Sequence, residues 1–142
     1  MSVHSLNILH VEDDQVDRMV IQRVIKKLGI AEQVTQACNG EEALQILRGG
    51  HGTTTIGALP HLVLLDINMP KMNGLEFLKE LRADPQLRHI SVFMMTTSND
   101  DGDRTEAYHY NVAGYIVKPV DIQQFESTFQ TLGGFWRINE WI

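Results

Sequence analysis

Cysteine is almost missing from this chain. Cys38 is the one cysteine in 142 residues, which excludes an intramolecular disulfide framework and a zinc site built on cysteines alone. No run approaches the 18 apolar residues of a membrane-spanning helix, and the Met1–His10 start lacks the basic-then-apolar order of a secretion signal. Basic excess is absent too: twelve Lys and Arg face eighteen Asp and Glu, a net charge of −6, so the footprint of a default nucleic-acid binder is not there. The six histidines are scattered without an i, i+4 pair, which argues against a zinc centre. What is present is an apolar fraction of 43%, enough to build the core of one domain, in a chain too short for two. The expectation is a soluble, cytoplasmic single domain over 1–142. Only ten residues follow Leu132, so no appended DNA-binding module is expected.

Short apolar runs alternate with segments of helical period. Leu6–Val11 reads as a strand and Asp14–Leu28 as a helix, with Val16, Met19, Val20, Arg23, Val24 and Lys27 marking its repeat and Gly29 its stop. Gln33–Ala37 is a second strand, Asn39-Gly40 a turn pair, and Glu41–Leu47 a helix. Gly49–Pro60 is a Gly- and Thr-rich loop, long enough to suggest an insertion with its own use. Its Gly49-Gly50-His51-Gly52 lacks the G-K-[ST] ending of a phosphate-cradling loop. Leu62–Leu65 and Val92–Met95 are unbroken apolar strands and Tyr115–Val117 a short fifth one, with helices at Leu75–Leu81, Asp101–Tyr110 and Asp121–Leu132, the last capped by Asp121. Strands alternating with helices predict βαβ units, and unbroken apolar strands predict a parallel sheet covered on both faces. The fold expected is α/β, a flavodoxin-like doubly wound sheet of order 2-1-3-4-5, whose ligand site lies at the carboxyl ends of the strands.

Those ends carry Glu12-Asp13-Asp14, Asp66, Thr96-Thr97-Ser98 and Lys118-Pro119. Carboxylates, a hydroxyl and an ammonium in one pocket are the parts of an oxygen-ligated divalent metal beside a phosphoryl group. Two unit charges 4 Å apart repel by roughly 4 kcal/mol at an effective dielectric of 20. Several such pairs among Glu12, Asp13 and Asp66 call for a cation beyond Lys118, and hard oxygen donors suit Mg²⁺. Asp14 reads as a helix cap, and Thr97, Ser98 and Asn99 as turn and capping residues.

Four segments carry a resemblance: ILHVEDD (Ile8–Asp14), HLVLLDINMPKMNG (His61–Gly74), SVFMMTTS (Ser91–Ser98) and GYIVKPV (Gly114–Val120). Together, in this order, and with 30 residues from Asp66 to Thr96 and 22 from Thr96 to Lys118, they resemble the receiver domain of two-component response regulators. The resemblance implies that Asp66 is the phosphoacceptor for a sensor histidine kinase. Asp13 would bind Mg²⁺ directly, Glu12 through water, Asp66 itself and the Asn68 backbone carbonyl completing the set. Lys118 would contact the phosphoryl oxygens, with a cis bond to Pro119. Thr96 would turn its hydroxyl to the phosphoryl group and Tyr115 would swing inward with it, although Tyr115 also fits a static core aromatic. The expected protein is a switch that is its own substrate, not a turnover enzyme.

The long loop before the third strand, the double threonine, the Tyr108–Tyr110 region and Phe135-Trp136 are similar to stand-alone regulators that serve phytochrome-type kinases. The tail after Gly133 carries Phe135, Trp136 and Trp141, which either fold back on the domain or contact a partner, including a second copy in a homodimer. A phosphotransfer intermediate that passes the phosphoryl group onward, without an output of its own, is one alternative, and two rival functions of other classes remain in view. An aspartyl-phosphate phosphohydrolase would place an acid two residues after the nucleophile, where this chain has Asn68. A flavin-binding domain would want a hydroxyl- and glycine-rich first loop, where this chain has Glu12-Asp13-Asp14.

Overall fold

The computed structural model describes residues 7–29, 33–49, 59–97, 99–118, 123 and 125–127. The chain runs β1 (Asn7–Val11), α1 (Gln15–Leu28), β2 (Gln33–Ala37), α2 (Gly40–Leu47), β3 (Leu62–Leu65), α3 (Gly74–Ala83), β4 (Ser91–Thr96), α4 (Asp101–His109) and β5 (Gly114–Val117). Residues 123 and 125–127 are helical where a fifth helix is expected. The five strands are all parallel, in the expected order β2-β1-β3-β4-β5. The expected Asp121 cap, the loop residues 50–58, Pro119 with its peptide bond, and the tail with Phe135, Trp136 and Trp141 lie outside the described residues.

Side chains alternate across a strand, so each strand feeds two apolar layers. Leu9, Val11, Val63, Leu65, Val92 and Met94 join the layer of α2 and α3, centred on Leu44, Phe77, Leu78 and Leu81. Ile8, Leu62, Leu64, Phe93, Met95 and Ile116 join the layer of α1, with Ile21, Val24, Ile25 and Phe125. All four residues of β3 are buried, as the unbroken LVLL run demands of a strand covered on both sides.

The sequence pattern misplaces the face of α1. Of the expected stripe only Val24 is buried; Val16, Met19 and Val20 are 67%, 49% and 47% exposed, and Arg23 and Lys27 also face solvent. The buried set is Ile21, Val24 and Ile25, flanked by Leu28. This helix carries two apolar stripes, and the one that includes Arg23 and Lys27 stays in solvent, because a buried Arg or Lys would need a partner. Asp14 does cap the helix, accepting from the backbone N–H groups of Val16 and Asp17, and Gly29 at φ 62° closes its other end in the left-handed conformation.

Asn39-Gly40 is not a turn pair. Asn39 is the N-cap of α2, accepting from the Glu42 N–H, and Gly40 is the first helical residue. Glycine is needed there for space: a Cβ would sit 2.9 Å from Met72 Cγ and from Phe77 Cβ. A capping box that the sequence reading passed over, Asn73 with Glu76, starts α3 one residue earlier than expected. Gly74, first in that helix, lies so close to the Asp66 carbonyl that a Cβ would collide with it.

Candidate functional site

Strand register decides which polar residues meet. Val11 pairs with Leu65, so Glu12 and Asp66 emerge side by side from adjacent strands. Glu12, Asp66 and Lys118 continue the alternation of Ile8, Leu64 and Ile116, which places all three on the α1 face of the sheet. Thr96 and Tyr115 continue the other alternation, toward the layer of α2 and α3. The site therefore straddles the edge of the sheet, with carboxylates and lysine on one side and the expected hydroxyl and aromatic switch on the other.

Carboxylate oxygens of Glu12, Asp13 and Asp66 lie within 4.8 Å of one another. Asp13 is exposed, whereas Glu12 and Asp66 are buried. Asp66 Oδ1 is buried with no hydrogen-bond partner among the described residues. Lys118 is the neutralising cation: its ammonium donates to Glu12 and, at 2.8 Å, to Asp17, and stands 3.8 Å from Asp66 Oδ2. Burial pushes the Glu12 carboxyl up to about 7; Lys118 opposes that rise and the Asp66 charge adds to it. Burial alone would lower the Lys118 pKa, but its contacts with Asp17, Glu12 and Asp66 outweigh burial and raise it.

An oxygen-only donor set and an orphaned, buried carboxylate oxygen fit a hard divalent cation. Asn68 sits on the loop that follows Asp66, and its side-chain amide donates to Thr97 Oγ1 at 3.2 Å, joining the loops after β3 and β4. Thr97 is thus a bridging residue, in keeping with its expected place outside the ligand set. Thr96 is fully buried, and its carbonyl accepts from the Lys118 backbone N–H at 2.7 Å. Tyr115 is half-buried against the core, with the Arg104 guanidinium 5.0 Å from its ring centroid. Cys38 accepts from Arg18 Nη1 at 3.2 Å and is partly buried, near the expected turn.

Asp17 and Arg104 were missed by the sequence reading. Asp17 precedes Ile21, Val24 and Leu28 by four, seven and eleven residues, so it belongs to their stripe. Reading that stripe as the buried one would have pointed Asp17 at the strand ends.

A family model described as "Response regulator receiver domain" matches residues 8–130. Response regulator Rcp1 of Synechocystis sp. is 32% identical over 129 residues, which make up 91% of this chain and 87% of that protein. The crystal structure of the phosphorylated cyanobacterial phytochrome response regulator RcpA superimposes with a TM-score of 0.78 at 31% identity, covering 92% of this chain and 93% of that one. The Mn²⁺-bound form of Rcp1 gives a TM-score of 0.77 at 30% identity, over 93% of this chain and 94% of that one.

Proposed function

From a chain that belongs to the response regulator receiver family, we propose a phosphorylation switch in which Asp66 accepts a phosphoryl group from a sensor histidine kinase. The observation that carries this reading is the meeting of Glu12, Asp13 and Asp66 within 4.8 Å, with the Asp66 carboxylate 3.8 Å from a lysine ammonium. Glu12, Asp13 and Asp66 would hold Mg²⁺, with the Asn68 carbonyl as the further ligand that the family pattern implies. When bound, the ion offsets the negative charge of the acidic cluster and of the incoming phosphoryl oxygens.

A carboxylate oxygen of Asp66 attacks phosphorus; the new P–O bond replaces the P–N bond of a phosphohistidine, and the departing imidazole takes a proton from water. Lys118 stabilises charge on the transferred group, and its raised pKa keeps it cationic throughout. On the other face of the sheet, Thr96 would turn to the phosphoryl group and draw Tyr115 inward, away from Arg104, so that the surface around α4 and β5 registers the event. Each molecule is its own substrate, which makes the protein a switch and not a turnover enzyme. Asn68 supports that: it stands where a phosphohydrolase would need an acid, and its amide is engaged with Thr97. The likeness to RcpA, a phytochrome response regulator, supports a phytochrome-type kinase as the phosphodonor.

The test is labelling with acetyl phosphate and Mg²⁺, read by intact mass. Addition of one phosphoryl mass to the wild type and none to Asp66→Asn is expected. Equal labelling of the variant would overturn the assignment.

A further inference from the structure

Asp17 belongs to no ligand trio: it stands on α1, outside the Glu12–Asp13–Asp66 cluster, yet its Oδ2 is 2.8 Å from Lys118 Nζ. We propose that Asp17 is a positioning residue that competes with phosphorylated Asp66 for the Lys118 ammonium and thereby sets how readily the receiver takes up its phosphoryl group. This rests on the phosphoacceptor reading above.

The geometry gives each of Lys118's neighbours a different part. An ammonium has three protons to donate. Glu12 and Asp17 accept from it now, while Asp66 Oδ2, at 3.8 Å, lies beyond hydrogen-bond distance. A phosphoryl group on Asp66 adds roughly 1.5 to 2 negative charges and three acceptor oxygens, and one ammonium proton remains for it beyond the two shared with Glu12 and Asp17. From 3.8 Å the ammonium must move toward Asp66 to engage that group, and the move pulls it against its present bonds. The Glu12 side chain is 2% exposed and cannot turn to water. The Asp17 side chain is 35% exposed and can be rehydrated where it stands. Asp17 is therefore the partner that yields. Ile21, Val24 and Ile25 seat α1 on the sheet and keep that carboxylate in place to reclaim Lys118 when the phosphoryl group leaves.

The test is titration of the Mg²⁺-loaded protein with beryllofluoride, a phosphoryl mimic, followed by fluorine NMR. The Lys118 ε-carbon resonance, recorded without Mg²⁺ or mimic, gives a second readout that does not depend on the loaded site. In Asp17→Asn that resonance shifts, and the half-saturating beryllofluoride concentration falls about three- to tenfold, the range expected for loss of an ion pair with one partly exposed partner from the competing state. Asp17→Glu restores wild-type behaviour. Glu80→Gln, which removes the same charge from the far end of α3, leaves both readouts where they were. Asp17→Ser serves as the second variant should the asparagine protein fail a thermal-melt check, with the same expectations. An unchanged or higher half-saturation in the Asp17 variants, or an equal fall in Glu80→Gln, overturns the proposal. Failure of the wild type to bind beryllofluoride overturns the phosphoacceptor reading and the proposal with it, whereas normal wild-type binding with unresponsive variants overturns the proposal alone.

Discussion

From Leu62 to Leu65 every side chain of β3 is buried among apolar neighbours, and one residue later, at Asp66, the same chain buries a carboxylate with an oxygen left unpaired among the described residues. The body of the sheet and its carboxyl end differ in kind. In the body, two continuous apolar layers gain stability with every contact. At the end, Glu12, Asp66 and Lys118 are withdrawn from water in an arrangement with one ammonium for several carboxylates. The core holds together what electrostatics alone would push apart, and the site is left short of positive charge, ready for a cation.

The largest expected effect comes from cutting into the body. Phe77 is fully buried in the α3 layer, and Phe77→Ala should lower unfolding free energy by about 3–5 kcal/mol in urea denaturation. A loss under 1 kcal/mol would mean that the layers are not what holds the strand ends in place.

An intermediate effect sharpens the comparison, because the body has a polar seam. His10 lies opposite Gln36 in the β1–β2 register, and His10 Nδ1 and both Gln36 amide atoms are buried without partners among the described residues. Burial, with the charges of Lys118 and Arg18, lowers the His10 pKa to about 3. The unfolded chain takes up a proton on this imidazole below its ordinary value of 6.5 and the folded chain refuses it until about 3. Stability contributed by the neutral imidazole is thus lost as pH falls through that window, by roughly 2–3 kcal/mol at pH 4.5. His10→Leu should flatten the fall relative to wild type; parallel stability curves for the two proteins would remove histidine as its cause.

The smallest effect has the opposite sign. Asp66→Asn removes a buried charge whose Oδ1 has no partner among the described residues, and in metal-free buffer it should stabilise the fold by roughly 1–2 kcal/mol. A destabilised variant in thermal melts would show that Asp66 is held by favourable contacts and that the carboxyl end is not strained after all.

The strands were legible because their signal is local. Gln33–Ala37 and Leu62–Leu65 match residue for residue, and the sheet order follows from alternation with helices. The acidic trio and Lys118 were legible too, because strand-end residues inherit their positions from the sheet. Features that depend on neighbours in space were not. The packing face of α1 was misread because Val16, Met19 and Val20 form a second apolar stripe, and periodicity cannot say which stripe the sheet covers. That misreading hid Asp17. Asn39-Gly40 reads as a turn because Asn-Gly pairs so often are; the reason for Gly40, the press of Met72 and Phe77, exists only after folding. The Asn68–Thr97 bridge and the Arg104–Tyr115 stacking join residues far apart in the chain, and no spacing rule announces them.

The seating of α3 on the phosphoacceptor strand has its own consequence. The Gly74 N–H donates to the Ile67 carbonyl at 2.9 Å, and the glycine lies against the Asp66 backbone, so the intervening segment is a ring closed at both ends. A ring of fixed circumference tolerates exchange of its beads better than a change in their number. Within residues 68–73, divergence should therefore proceed by replacement and hardly ever by insertion or deletion, since one residue more or fewer would either lift the helix from its seat or drag the aspartate out of register.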